Sequence, residues 1–208
     1  MRTPFTRTLH AAVAAGAVIS LGLAGAAGAA SATPRARPAR PVTAYVVNRG
    51  SNTVTPIRAV TALKAIKVGP SPTAIAITPN GRTAYVVNSG AGPAARGTVT
   101  PINTATGQAG PAITVGSAPV AIAITPNGKT AYVLWVSGVT PICTATNKTG
   151  KPITAGSIPD AIAITPDGKT AYVASFGSGT VTPIHTATGT ALKAIKVGNL
   201  PAAIAITP

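Results

Sequence analysis

His185 and Cys143 stand at the same place in a repeated pattern, each directly after VTPI (Val139–Ile142 and Val181–Ile184). A thiol beside an imidazole is the pairing that makes a thiolate nucleophile. Little else would support it. The other histidine is His10, the carboxylates are Asp160 and Asp167, and there is no glutamate. Asp167 takes the place that Asn80 and Asn127 hold in sister segments, which assigns it to a turn. Asp160 only precedes a strand. Proton transfer, nucleophilic attack and metal binding each need clustered groups. The chain has no carboxylate pair, no set with ligand spacing and no phosphate-binding glycine loop. No catalytic residue, metal or cofactor is therefore expected. Equivalent repeat positions diverge between neighbouring units, so Cys143 and His185 are not expected to meet. As the single cysteine, Cys143 excludes an intrachain disulfide.

The elements that must position any site recur along the chain. AIAITP begins at Ala74, Ala121, Ala161 and Ala203, and AYV at Ala44, Ala84, Ala131 and Ala171. A period of about 40–47 residues marks stacked supersecondary units. In the unit Ala121–Gly156, AIAIT is a first strand, TPNG a tight turn, TAYVLW a second strand, VTPI a third and PITA a fourth. Short strands between turn signals, without helical periodicity, predict an all-β chain, and four antiparallel strands per unit predict a β-propeller blade. The spacing from AIAITP to AYV is the same in all three complete cases, which predicts one turn type. The second-to-third connection varies in length and reads as a surface loop.

Three residue classes follow from this frame. Pro56, Pro101, Pro141 and Pro183 fall within third strands. Proline lacks the N–H for a ladder bond, so a bulge is expected at each. Lys64, Lys67, Lys193 and Lys196 lie in two copies of ALKAIKVG on outermost strands, where lysine blocks edge-to-edge pairing. Tyr45, Tyr85, Tyr132 and Tyr172 share one strand position and are expected to pack between blades.

The repeats open at a second strand, AYVVN, and close after a first strand, AIAITP. These fragments are complementary. The expected architecture is four four-stranded blades: residues 44–68 with 203–208, then 74–115, 121–155 and 161–197, the ring closed by pairing the N-terminal strands with the C-terminal strand. Alanine alternating with isoleucine in AIAIT would let first strands crowd a narrow axis. A closed monomer is the expected state, and a homodimer of two open arcs is the competing one.

Residues 1–32 have the pattern of a signal peptide: Arg2 and Arg7, an uncharged run from Ala11 to Ala30, then Ala30-Ser31-Ala32 as a cleavage site. Residues 33–43 form a basic, Pro-rich linker. The expected location is secreted or cell-surface, without stable membrane insertion after cleavage. The formal net charge of +15 favours acidic partners. Nucleic acid is disfavoured, because aromatic side chains for base stacking are few and no nucleic-acid motif is present.

The segments PNGRTAYVVNSG (79–90), PNGKTAYVLWVSG (126–138) and PDGKTAYVASFGSGTVTPIHTATG (166–189) resemble the YVTN-type β-propeller repeat of bacterial and archaeal exported and surface-layer proteins. The resemblance covers nearly all of 44–208 and implies the propeller fold. It differs in the third strand, VTPI where VSVID is more usual, and in blade number, the family commonly having seven. Related propellers include lactonases, so the resemblance leaves an enzyme open as an alternative.

What remains is a binding surface. Second-to-third and fourth-to-first connections of a propeller emerge on one face, here bearing Asn48, Arg49, Asn88, Arg96, Trp135, Phe176 and Asp160. Aromatic groups beside amides and a guanidinium suit carbohydrate or peptide recognition. Packing between blades accounts for Trp135 and Phe176 equally well. The expected function is an exported, non-catalytic binding or scaffold module for an anionic envelope polymer, a carbohydrate or a protein. A lactonase-like enzyme and a shortened relic of a larger propeller are the alternatives.

Overall fold

The first strand pattern met along the chain, TAYVVN, is an extended segment paired with the TVTPIR that follows it, and the same pairing recurs in three later sheets. The structure is a computed structural model and describes residues 42–92 and 95–207. The expected signal peptide, and the linker apart from Val42 and Thr43, lie outside the described residues. Sheet one holds β1 (Thr43–Asn48), β2 (Thr53–Arg58), β3 (Thr61–Ala62) and β4 (Ile66–Lys67). Sheet two holds β5 (Pro72–Ile77), β6 (Thr83–Asn88), β7 (Arg96–Asn103) and β8 (Ile113–Ser117). Sheet three holds β9 (Ala121–Ile124), β10 (Thr130–Trp135), β11 (Gly138–Cys143) and β12 (Lys148–Thr149). Sheet four holds β13 (Pro159–Ile164), β14 (Thr170–Ser175), β15 (Thr180–His185), β16 (Thr190–Ala191) and β17 (Ile195–Lys196). All pairings are antiparallel and no helix occurs among the described residues, an all-β architecture consistent with a propeller-like fold.

The constant first hairpin has a local cause. Thr78, Thr125 and Thr165 donate their hydroxyls to Asn80, Asn127 and Asp167, and accept the N–H of Thr83, Thr130 and Thr170. Gly81, Gly128 and Gly168 then take φ of 67°, 70° and 70°, a left-handed conformation that a Cβ disfavours.

The prolines do not bulge the third strand. Tyr45↔Pro56, Tyr85↔Pro101, Tyr132↔Pro141 and Tyr172↔Pro183 are paired in unbroken register. Each proline carbonyl accepts a bond from the outer side, from the N–H of Leu63, Gly110, Gly150 and Leu192. In an extended chain the N–H and C=O of one residue point the same way, so the missing donor also faces outward. The outer strand gives way instead. It is split into β3 and β4, or β16 and β17. In sheets two and three, one of its two parts is a single bridge, Ile102↔Ala109 or Val139↔Ile153.

Period-2 alternation builds the core between sheets. Tyr85, Val87, Ile113 and Val115 of sheet two pack with Ala131, Val133 and Ile142 of sheet three. Tyr132, Leu134, Ile153 and Ala155 of sheet three pack with Ala171, Val173 and Ile184 of sheet four. Tyr45, Val47, Ile66 and Val68 of sheet one pack with Ala84, Val86 and Ile102 of sheet two. Three tyrosine hydroxyls cross to the next sheet: Tyr45 donates to Thr104 O (3.4 Å), Tyr85 to Thr144 O (3.2 Å) and Asn147 Oδ1 (2.8 Å), Tyr132 to Thr186 O (3.1 Å). Burial raises the Tyr85 and Tyr132 phenols above their usual range, and the nearby Cys143 adds to the rise at Tyr85.

The sheets do not close into a ring. Residues 201–207 form no strand, and β1 pairs only with β2. The expected pairing of the C-terminal AIAIT with the N-terminal strands is therefore absent. The first strands β5, β9 and β13 of neighbouring sheets lie against one another, and all four residues of β9 are partly buried. Among the described residues, sheet one packs on sheet two and sheet four on sheet three.

Candidate functional site

The candidate site begins with a glycine that recurs before each first strand. A Cβ on Gly69 would lie 2.8 Å from the Asn88 amide, and one on Gly156 would lie 2.6 Å from Ser175 Oγ. At Gly116 it would fall inside the indole of Trp135. Ala131, Val133 and Trp135 alternate onto the face of β10 that meets sheet two, so the indole reaches back and lies on Gly116. This is packing between sheets, one of the two roles open from sequence.

The same ring also forms a wall of a cleft of about 490 Å³ between sheets two and three. Arg96, Thr114, Gly116 and Ser117 line it from sheet two. Trp135, Thr140 and Thr149 line it from sheet three, with Pro152 beyond. Arg96 is exposed at the start of β7, and Trp135 Nε1 is buried with no hydrogen-bond partner among the described residues. The lining thus combines one guanidinium, an indole and several hydroxyls. It offers hydrogen-bond donors and a positive charge, and these side chains include no carboxylate, imidazole or thiol.

Of the residues singled out from sequence, only Arg96 and Trp135 meet here. Asn48 donates to Thr53 Oγ1 (3.2 Å) and Thr55 Oγ1 (2.7 Å) within its own hairpin, and Arg49 is exposed in the turn after it. Asn88 is fully buried and donates to Thr98 Oγ1 (3.1 Å) and Thr100 Oγ1 (3.0 Å), leaving its Oδ1 unpaired. Phe176 is half-buried, and its N–H bonds to Ile158 O at 2.9 Å. Asp160 lies at a register shift between Pro159 and Ala161 of β13. Sequence reasoning missed Thr114, Gly116, Ser117, Thr140 and Thr149. The recurring V/A-G before each first strand was the signal that could have found them, because a glycine at one fixed repeat position implies a close neighbour.

Cys143 and His185 are exposed at the ends of β11 and β15 and share no bond. His185 Nδ1 contacts Thr188 Oγ1 at 3.2 Å, and the Cys143 thiol is lowered from its usual range chiefly by a hydrogen bond from Thr146. Among the described residues no three His, Cys, Asp or Glu side chains are grouped to hold a metal ion.

No protein-family model and no curated protein matches the chain. Solved structures do. A hydrazine synthase from Kuenenia stuttgartiensis is similar with a TM-score of 0.65 and 29% identity, over 73% of this chain and 45% of that one. A functionally unknown protein from Desulfotomaculum acetoxidans DSM 771 is similar with a TM-score of 0.70 and 22% identity, over 78% of this chain and 55% of that one. The chain spans about half the length of these structures.

Proposed function

We propose that the chain is an exported, non-catalytic β-propeller module of YVTN-type repeats that binds an acidic polysaccharide of the cell envelope. The observation that carries this reading is the cleft between sheets two and three, where Arg96 and an indole stand among threonine and serine hydroxyls. Sugar rings stack on indole, hydroxyls exchange hydrogen bonds with sugar hydroxyls, and a guanidinium takes a carboxylate or sulfate bidentately. Without Arg2 and Arg7 of the signal peptide the formal net charge is still +13, which draws such a polymer in from a distance.

The test is calorimetric titration with an acidic polysaccharide, polygalacturonate, and a neutral one, dextran. Binding to polygalacturonate alone is expected, weakening as salt rises. Arg96→Ala and Trp135→Ala should each weaken it by about 1 kcal/mol or more. Equal binding of both polymers, or unchanged affinity in both variants, would exclude the cleft as the binding site.

A further inference from the structure

Three times along the chain, one sheet presents a tyrosine and the branched residues of its outer strand to Ala and Val of the next sheet's second strand. At both ends of the row the same residues stand uncovered. Ile195 and Val197 occupy the repeat positions of Ile113 and Val115 and of Ile153 and Ala155. Those four residues are 0–8% exposed, and Ile66 and Val68 at the same position in sheet one are partly buried, whereas Ile195 and Val197 are 51% and 43% exposed. Leu192 and Leu200 beside them are 51% and 57% exposed. At the other end, Ala44 and Val46 occupy the positions of Ala84 and Val86, of Ala131 and Val133, and of Ala171 and Val173. Those six are fully buried, while Ala44 is exposed and Val46 is 43% exposed.

The polar parts of the interface are left over in the same way. Tyr45, Tyr85 and Tyr132 each donate to a carbonyl of the following sheet, and the Tyr172 hydroxyl has no such partner among the described residues. Gly69, Gly116 and Gly156 are each covered by the last residue of the next second strand, while a Cβ on Gly198 would meet nothing within 4 Å. Asn48 holds the covering position in sheet one, and its amide bonds only within its own hairpin, to Thr53 and Thr55.

We infer that these two end faces are the halves of one interface, and that a second copy of this chain docks head to tail, Ala44 and Val46 of one copy on Ile195 and Val197 of the other. The contact continues the row of inter-sheet interfaces already present, with the same residue types at the same repeat positions. Contiguous exposed apolar surface of this kind is a docking signal. Each copy uses different faces, so the contact is heterologous.

The test uses protein purified from cells expressing the full chain. Sedimentation equilibrium over a dilution series should show an assembly heavier than the monomer, strengthening as salt screens the mutual repulsion of two basic chains. Val46→Asp and Ile195→Asp each alter a side chain already in solvent, and each alone should weaken assembly about tenfold or more while the thermal melt is retained. Mixed together, the two variants should form a one-to-one complex, because one still carries an intact tail and the other an intact head. Gly198→Val, placed where the free chain has open space, should give the same loss without touching the fold. A wild-type chain that stays monomeric at every concentration and salt would overturn the inference. So would single variants that assemble like wild type, or a mixture that stays monomeric while wild type assembles.

Discussion

Gly116→Ala tests whether the Trp135 indole is held by the absence of a side chain opposite it. The added methyl would fall within 3.0 Å of three indole atoms, the most distant of the three, Cε2, at 2.5 Å. Ordinary van der Waals contact begins near 3.4 Å. Cδ2 is nearer still, so the ring must retreat by about 1.4 Å or leave its rotamer. Inserting a methyl group into a packed site costs about 1–3 kcal/mol. No left-handed backbone is required at Gly116, so the loss is steric and should vanish when the indole is gone. The assay is a double-mutant cycle by urea denaturation: Gly116→Ala, Trp135→Ala and the pair. A coupling of about 1–3 kcal/mol is expected, with Gly116→Ala nearly neutral in the Trp135→Ala background. Equal destabilisation in both backgrounds would refute the steric account and place the cost in the backbone.

Gly168→Ala forces a Cβ into φ of 70° and should cost about 1–2 kcal/mol, measured as a lower urea midpoint at constant m-value. Tyr132→Phe removes the hydroxyl that donates to Thr186 O at 3.1 Å and should cost about 0.5–1.5 kcal/mol. Burial raises the Tyr132 phenol above its usual range, so the stability it confers is intact below the unfolded value near 10 and is lost as pH rises through the higher folded value. Alkaline unfolding followed by tyrosinate absorbance should shift in the phenylalanine variant. Asp167 is held below its usual range, first by the Thr165 hydroxyl and then by the Lys169 N–H. Its contribution is present above the unfolded carboxylate value and falls away as pH drops through the lower folded value. Asp167→Asn keeps the turn, as Asn80 and Asn127 do, and should flatten that part of the acid titration of stability.

Features written in contiguous residues are legible in the sequence by itself. TPNG and TPDG specify a left-handed glycine turn through bonds spanning a few residues, so the first hairpins and their registers followed. Alternation in TAYV placed the tyrosine on one face and Ala and Val on the other. Those two faces proved to be the two sides of successive inter-sheet cores. The proline anomaly was visible, and its resolution was not. Which strand yields depends on which neighbour the missing N–H faces, and only the sheet order shows it to be the outer one.

The cleft and the open ends were decided by tertiary structure. Arg96 and Trp135 lie in different repeats, and what brings them together is the distance between two sheets, set by side chains that no local pattern counts. The same is true of closure. The Ala–Ile alternation of AIAIT says that a strand is small on one face. Whether that strand finds a partner is a tertiary matter: residues 201–207 form no strand, and β1 pairs only with β2.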